Sequence, residues 1–190
     1  EQSGGSVTFL LTDNAERRAM FPFAFAFRVR YALDGNRIIK TCTVENRDEK
    51  LMHFGFGGHP GFNVPVGGEG GFTDWYLEFD NAAEPVRVDL DPSNYRLAGT
   101  MQPFPLRDGR ILPITHSMFD LDAVVLGGTD RAVTLKSEKS AHSVKVSFPG
   151  MGFVGFWHAP HTEAPYVCIE PWVSLPSHSA YMEDIEKQEH

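Results

Sequence analysis

The chain has 190 residues and a formal net charge of −8 at pH 7, with 17 Lys and Arg against 25 Asp and Glu. That balance excludes a polybasic nucleic-acid binder, and 42% hydrophobic with 22% charged residues is the mix of a chain that buries a core and is not disordered. The two cysteines, Cys42 and Cys168, make no CxxC motif or Cys/His cluster, which supports neither a disulfide framework nor a structural zinc site and points to a reducing compartment. No window approaches about 18 consecutive apolar residues. The opening EQSGGSVTF lacks the basic start and apolar run of a signal peptide. A soluble cytoplasmic protein without membrane association is the expectation.

The first strand candidate is VTFLLT at 7–12. From Phe21 to Leu33 the odd positions are Phe21, Phe23, Phe25, Phe27, Val29, Tyr31 and Leu33, with Arg28 and Arg30 on the even side. Alternation of period two predicts a strand with one buried face. Asp34-Gly35-Asn36 then signals a turn, and the β-branched RIIKTCTVEN pairs back as the second arm of a hairpin. Further strands are expected at WYLEFD 75–80, VRVDL 86–90, AVVLGG 123–128, AVTLKS 132–137, SVKVSF 143–148, GFVGFW 152–157 and YVCIEPW 166–172, with SEKSAHS as a hairpin turn between two of them. Helical periodicity is weak, and prolines recurring from Pro60 to Pro176 would interrupt any long helix. The fold class is therefore all-β, a sandwich or barrel. No linker, low-complexity run or repeat divides the chain, so 1–190 reads as one domain. The acidic tail EDIEKQEH reads as a frayed or helical terminus.

Two segments place ionisable groups among Gly, Pro and aromatic residues at the ends of predicted strands. In HFGFGGHPGFNVPV, 53–66, His59 stands in a Gly-Gly-His-Pro turn, where two glycines permit positive φ and close backbone approach, Pro60 fixes the turn and Phe62 offers an apolar wall. A solvated turn histidine is the alternative. In YVCIEPWVSLP, 166–176, Glu170 follows an apolar run and is flanked by Pro171 and Trp172. A carboxylate desolvated beside an aromatic surface has its pKa raised toward the range of a general base.

GGHPGFNVPV followed by FWHAPHTEAPYVCIEPW, with RRAMFPFAFAFRVRYALDGN before the histidine and MFDLDAVVL after it, resembles the aldose 1-epimerase (mutarotase) family, in particular its LacX-like branch. The similarity runs from about Val7 to about Ser179. The resemblance implies a galactose-mutarotase-like antiparallel β-sandwich that binds a free aldohexose, such as glucose or galactose, in a cleft on one sheet. It further implies a histidine acid at His59, a glutamate base at Glu170 and a hydroxyl-binding aspartate at Asp122, with no cofactor and no metal. Asp120, two residues away and expected on the same strand face, is the alternative to Asp122. Among Trp75, Trp157, Trp172 and Phe62, the expected stacking partners for the sugar are Trp172 and Phe62. The family's N-terminal part supplies a second active-site histidine and a sugar-contacting arginine, and neither pattern occurs here. The chain thus resembles the C-terminal two-thirds of a family domain, with the missing segment as an expected partner and weak activity expected without it.

Two rival readings carry their own signatures. A cupin-type metal enzyme would use His158, His161 and Glu163 of HAPHTE, although that HxxH spacing straddles Pro160 and the cupin motifs are absent. A non-catalytic sugar-binding module would keep the sandwich and lose the chemistry. Cys42 and Cys168 are expected to fill the core, and His53, His116, His142, His178 and His190 are assigned to surface or turns.

Overall fold

The structure is a computed structural model describing residues 2–188. His190 and the end of the acidic tail lie outside the described residues; before them, Ile185–Lys187 form a single 3₁₀ turn. The chain divides into two compact units, with the boundary between Phe54 and Gly55.

The first unit is an antiparallel meander of β1 (Gln2–Ser3), β2 (Ser6–Thr12), β3 (Phe25–Asp34) and β4 (Arg37–Asn46), in spatial order β1-β2-β3-β4. Asp34 pairs with Arg37 across a Gly35-Asn36 turn, and Gly35 takes φ 59°, the positive value that a tight right-twisting hairpin demands. Between β2 and β3 lies α1 (Ala15–Met20), capped by Asn14, whose side chain accepts a 2.8 Å bond from the Arg17 amide. Six residues are too few for helical periodicity to show in the sequence. Phe21 and Phe23 precede the strand instead of joining it, their rings packed against one another in a tilted pair at 5.0 Å. The expected buried stripe does not hold either. Ala26, an even position, is the fully buried residue of β3, whereas Tyr31 is 37% and Leu33 68% exposed. Alternation reports which residues share a face, and the cover over that face is a tertiary matter that this sheet does not supply for its odd positions.

The second unit is an all-β sandwich. Its strands are β5 (Gly61–Asn63), β6 (Trp75–Phe79), β7 (Val86–Leu90), β8 (Leu97–Pro103), β9 (Ile111–Pro113), β10 (Val124–Gly127), β11 (Ala132–Ser137), β12 (Val144–Ser147), β13 (Phe153–Trp157) and β14 (Tyr166–Trp172). They form a six-stranded sheet, β5-β14-β13-β10-β7-β8, and a four-stranded sheet, β12-β11-β6-β9, and every pairing is antiparallel. Side chains alternate faces along a strand. Trp75, Leu77 and Phe79 of β6 and Val133 and Leu135 of β11 therefore point the same way, and they meet Val124, Leu126, Val154, Phe156, Val167 and Ile169 of the larger sheet in one continuous core. Trp75 is 1% exposed inside it and is no cleft residue.

Because the inner face of the larger sheet takes 167 and 169 from β14, 154 and 156 from β13, and 124 and 126 from β10, the intervening residues stand on its outer face. That face carries a smaller apolar cluster of Val88, Leu97, Ala123, Val125 and Leu175, with Phe153, Trp157 and Trp172 packed against it. All four residues of β10 are buried, consistent with cover on both sides. No helix among the described residues is long and apolar enough to cross a membrane.

Candidate active site

Strand parity puts Cys168, Glu170 and Trp172 together on the outer face of β14. The antiparallel register sets Gly155 opposite Glu170, Trp157 opposite Cys168 and Phe153 opposite Trp172. Glycine at 155 matters sterically: an added Cβ would stand 3.5 Å from Glu170 Cβ and 3.3 Å from Trp172 Cζ2. Glu170 is 5% exposed in this setting.

His59 reaches the same place from a strap that runs antiparallel beside β14. Gly58 N–H donates to Pro171 O at 2.9 Å, Ile169 N–H to Pro60 O at 3.0 Å and Val173 N–H to Phe56 O at 2.9 Å, so the strap is hydrogen-bonded to the strand on both sides of the histidine. The glycines act differently from expectation. Neither Gly57 nor Gly58 has positive φ. Gly57 is instead required by contact, since a Cβ there would meet Trp172 Cδ1 at 2.7 Å and Pro171 O at 3.2 Å.

His59 Nε2 lies 3.1 Å from Glu170 Oε1, with the imidazole 62% and the carboxylate 7% exposed. The distance is that of an ion pair, but the alignment does not make a hydrogen bond, and Glu170 Oε1 has no hydrogen-bond partner among the described residues. The His59 ring also packs edge-on against Trp157 at 5.6 Å.

Asp122 sits in the turn that follows the 3₁₀ turn His116–Phe119 and precedes β10. Its amide donates to Phe119 O at 3.0 Å and its φ is 79°, a left-handed conformation that Asp tolerates better than most residues. This turn hands its carboxylate to Trp157, whose Nε1–H donates to Asp122 Oδ1 at 2.8 Å. Asp120 and Asp122 thus do not share a strand face, and Asp120 turns away to accept from the His161 amide at 3.1 Å.

Burial is the largest influence on Glu170 and raises its pKa above the ordinary glutamate range. The nearby Asp122 carboxylate adds to the rise, while His59 and the Trp172 side chain oppose it. Cys168 is pushed up to about 11, by burial first and by Glu170 second.

The outer face therefore brings together His59, Glu170, Asp122 and Trp172. Phe62 is a correction. It pairs with Val167, an inner-face residue, and packs against the main core, so parity places it on the opposite side of the sheet from Glu170. Trp157, a candidate that the sequence reading set aside, and Cys168, expected only to fill the core, stand on the same face. The readable signal was the spacing of two: Trp157 and Gly155, like Cys168 and Glu170, share a face once GFVGFW and YVCIEPW are paired antiparallel.

The HAPHTE histidines form no metal set. His158 is fully buried, its Nδ1–H donating to Ala159 O at 2.8 Å and its Nε2 lying 3.1 Å from His116 Nδ1. His116, half-buried in the 3₁₀ turn His116–Phe119 as the turn assignment expected, pairs with His158 and stacks on Phe72 at 3.9 Å. Because the Ala159 carbonyl can only accept, Nε2 of His158 carries the lone pair and His116 donates to it. Burial lowers the His158 pKa.

The outer sheet face thus presents a buried carboxylate, a histidine and a second acid beside tryptophan. The sequence model of the aldose 1-epimerase family matches residues 1–179, and the chain belongs to that family. Protein LacX of Lactococcus lactis subsp. lactis is 31% identical over 182 residues, covering 92% of this chain and 59% of that protein. The galactose mutarotase related enzyme of Lactobacillus acidophilus superposes with a TM-score of 0.90 at 31% identity, over 99% of this chain and 62% of its own. A galactose mutarotase-like protein of Lactobacillus casei ATCC 334 gives 0.88 at 29% identity, over 99% and 64%. The chain thus spans about three-fifths of the length of these relatives.

Proposed function

We propose that the protein is an aldose 1-epimerase that interconverts the α and β anomers of a free aldohexose such as glucose or galactose. The observation that carries this reading is the 3.1 Å approach of His59 Nε2 to Glu170 Oε1. It supplies a base and an acid close enough to serve one pyranose ring.

In this reading the ionised Glu170 removes the proton from the C1 hydroxyl while imidazolium His59 gives one to the ring oxygen. The C1–O5 bond breaks, the open-chain aldehyde rotates about C1–C2, and closure with the two roles reversed returns either anomer. Protons and electrons balance without a redox partner or covalent enzyme intermediate. The raised pKa of Glu170 suits the task, because a base nearer the working pH takes a proton more readily. Asp122, oriented by Trp157, accepts a hydrogen bond from a sugar hydroxyl, and Trp172 with Trp157 covers an apolar sugar face.

We further propose that residues 1–190 belong to one family domain, a reading supported by a family match that runs across both compact units. The greater length of the relatives supports a further segment as partner for full activity. Two free cysteines fit a cytoplasmic setting. Polarimetry of freshly dissolved α-glucose and α-galactose tests the activity. Acceleration over buffer that is lost in Glu170→Gln is expected, while sugar binding with no acceleration at any pH would make this a binding module.

A further inference from the structure

Cys168 has no part in the proposed proton transfer, yet it stands two residues from Glu170 on the same face of β14. One ligand atom from each of His59, Cys168 and Glu170 can be chosen so that all three lie within 4.8 Å of one another, and no other such group occurs among the described residues. Position 61, opposite Cys168 in the β5 pairing, is glycine. A Cβ there would stand in van der Waals contact with the Cys168 sulfur at 3.4 Å, and glycine leaves the thiol free of a side chain on that side.

We propose that these three side chains form a binding site for a zinc-like divalent cation, and that its occupancy shuts the sugar site. Imidazole nitrogen, thiolate and carboxylate are the donors that zinc takes in tetrahedral sites, whereas calcium and magnesium require oxygen shells that this group does not offer. Glu170 Oε1 is buried without a hydrogen-bond partner, and a cation beside it would satisfy it. With metal–ligand bonds of about 2.0–2.3 Å, ligand atoms in a tetrahedral site stand roughly 3.3–3.8 Å apart. His59 and Glu170 are already 3.1 Å apart, and the largely exposed imidazole can swing to admit the ion. As the sulfur–metal bond forms, the thiol proton leaves to solvent. Water takes the fourth position. The cation holds the atoms that would carry the sugar's protons, so metal and substrate exclude one another. The cation site stands on donor geometry alone, and its closing of the sugar site rests on the reaction proposed above.

Cobalt(II) is the probe, because a cysteine thiolate on cobalt gives a near-ultraviolet charge-transfer band and a tetrahedral site gives intense visible d–d bands. Titration of the reduced protein in a non-coordinating buffer is expected to show both at one equivalent, and zinc(II) is expected to bleach them. Cys168→Ser should remove the charge-transfer band, while Cys42→Ser leaves it intact. His59→Gln, at an exposed position that does not threaten folding, should weaken cobalt by more than the roughly 10- to 100-fold lost when a residue that merely orients a ligand is removed. The proposal is overturned by the absence of a charge-transfer band at millimolar cobalt, by a band that survives Cys168→Ser, or by unchanged affinity in His59→Gln. An active enzyme without these bands would refute the metal site alone, and a protein that binds the metal but gives no mutarotation when metal-free would refute the reaction alone.

Discussion

Glu170 carries opposing demands: the burial that makes it a stronger base also makes its charged form costly. A carboxyl whose folded pKa lies above its unfolded value binds more protons folded than unfolded in the window between the two. Stability therefore falls as pH rises through that window, and the penalty persists at pH 7. Glu170→Gln removes it. We expect this variant to melt higher than the parent at pH 7, by about 2–4 °C per kcal/mol recovered in a chain of this size. The gain should shrink below the ordinary glutamate value of 4.5. A variant less stable at pH 7, followed by circular dichroism, would contradict this account of the burial. The same substitution should lower turnover by roughly two to four powers of ten, with sugar affinity largely kept. The rate should fall on the acid side at a pH above the ordinary glutamate range, because Glu170 must be ionised. A flat profile from about pH 5 to about pH 9 would count against the pair.

At the scale of elements, the site depends on how closely the strap from Phe56 to Pro60 lies against β14. Gly57→Ala would bring a methyl to 2.7 Å from Trp172 Cδ1, whereas at Gly58 the nearest atom is Pro60 Cδ at 3.6 Å, an ordinary contact. Gly57→Ala is expected to displace Trp172 or the strap at a cost of about 1–3 kcal/mol, with reduced sugar affinity, and Gly58→Ala to be tolerated. Equal behaviour in melting and binding assays would show that the close approach is not needed. β-Branched and apolar runs bounded by turn signals made the strands legible: RIIKTCTVEN is β4 residue for residue, and YVCIEPW is β14. Short elements such as β5 and β9, and α1, hold too few residues for any period to show. His59 and Glu170 were singled out by Gly, Pro and aromatic context, and Asp122 by the family resemblance, and the fold brings the three to one face of the sheet. Phe62 was misplaced and Trp157 passed over for one reason: the face a side chain takes follows from strand pairing, which a segment read alone does not contain. Register with Val167 sends Phe62 inward, and register with Cys168 sends Trp157 outward.

For the whole molecule, the sandwich of the second unit holds every residue of the candidate site, and the sheet β1–β4 of the first unit carries apolar side chains in the open. Leu33 and Ile38, directly paired across β3 and β4, are 68% and 73% exposed. We expect Leu33→Lys with Ile38→Glu to change folding stability by less than about 0.5 kcal/mol, as at other uncovered surface positions. Concentration-dependent light scattering should fall in that variant, because exposed apolar patches promote association. A large loss of stability would mean that this pair is covered in solution. The central claim, that one histidine and one glutamate exchange protons with a single sugar ring, is tested most directly by polarimetry. Fresh α-glucose and α-galactose are followed with the parent protein and with Glu170→Gln and His59→Gln, each shown to be folded. The account predicts acceleration by the parent and a fall of roughly two to four powers of ten in each variant. Mutarotation that survives both substitutions undiminished would contradict it.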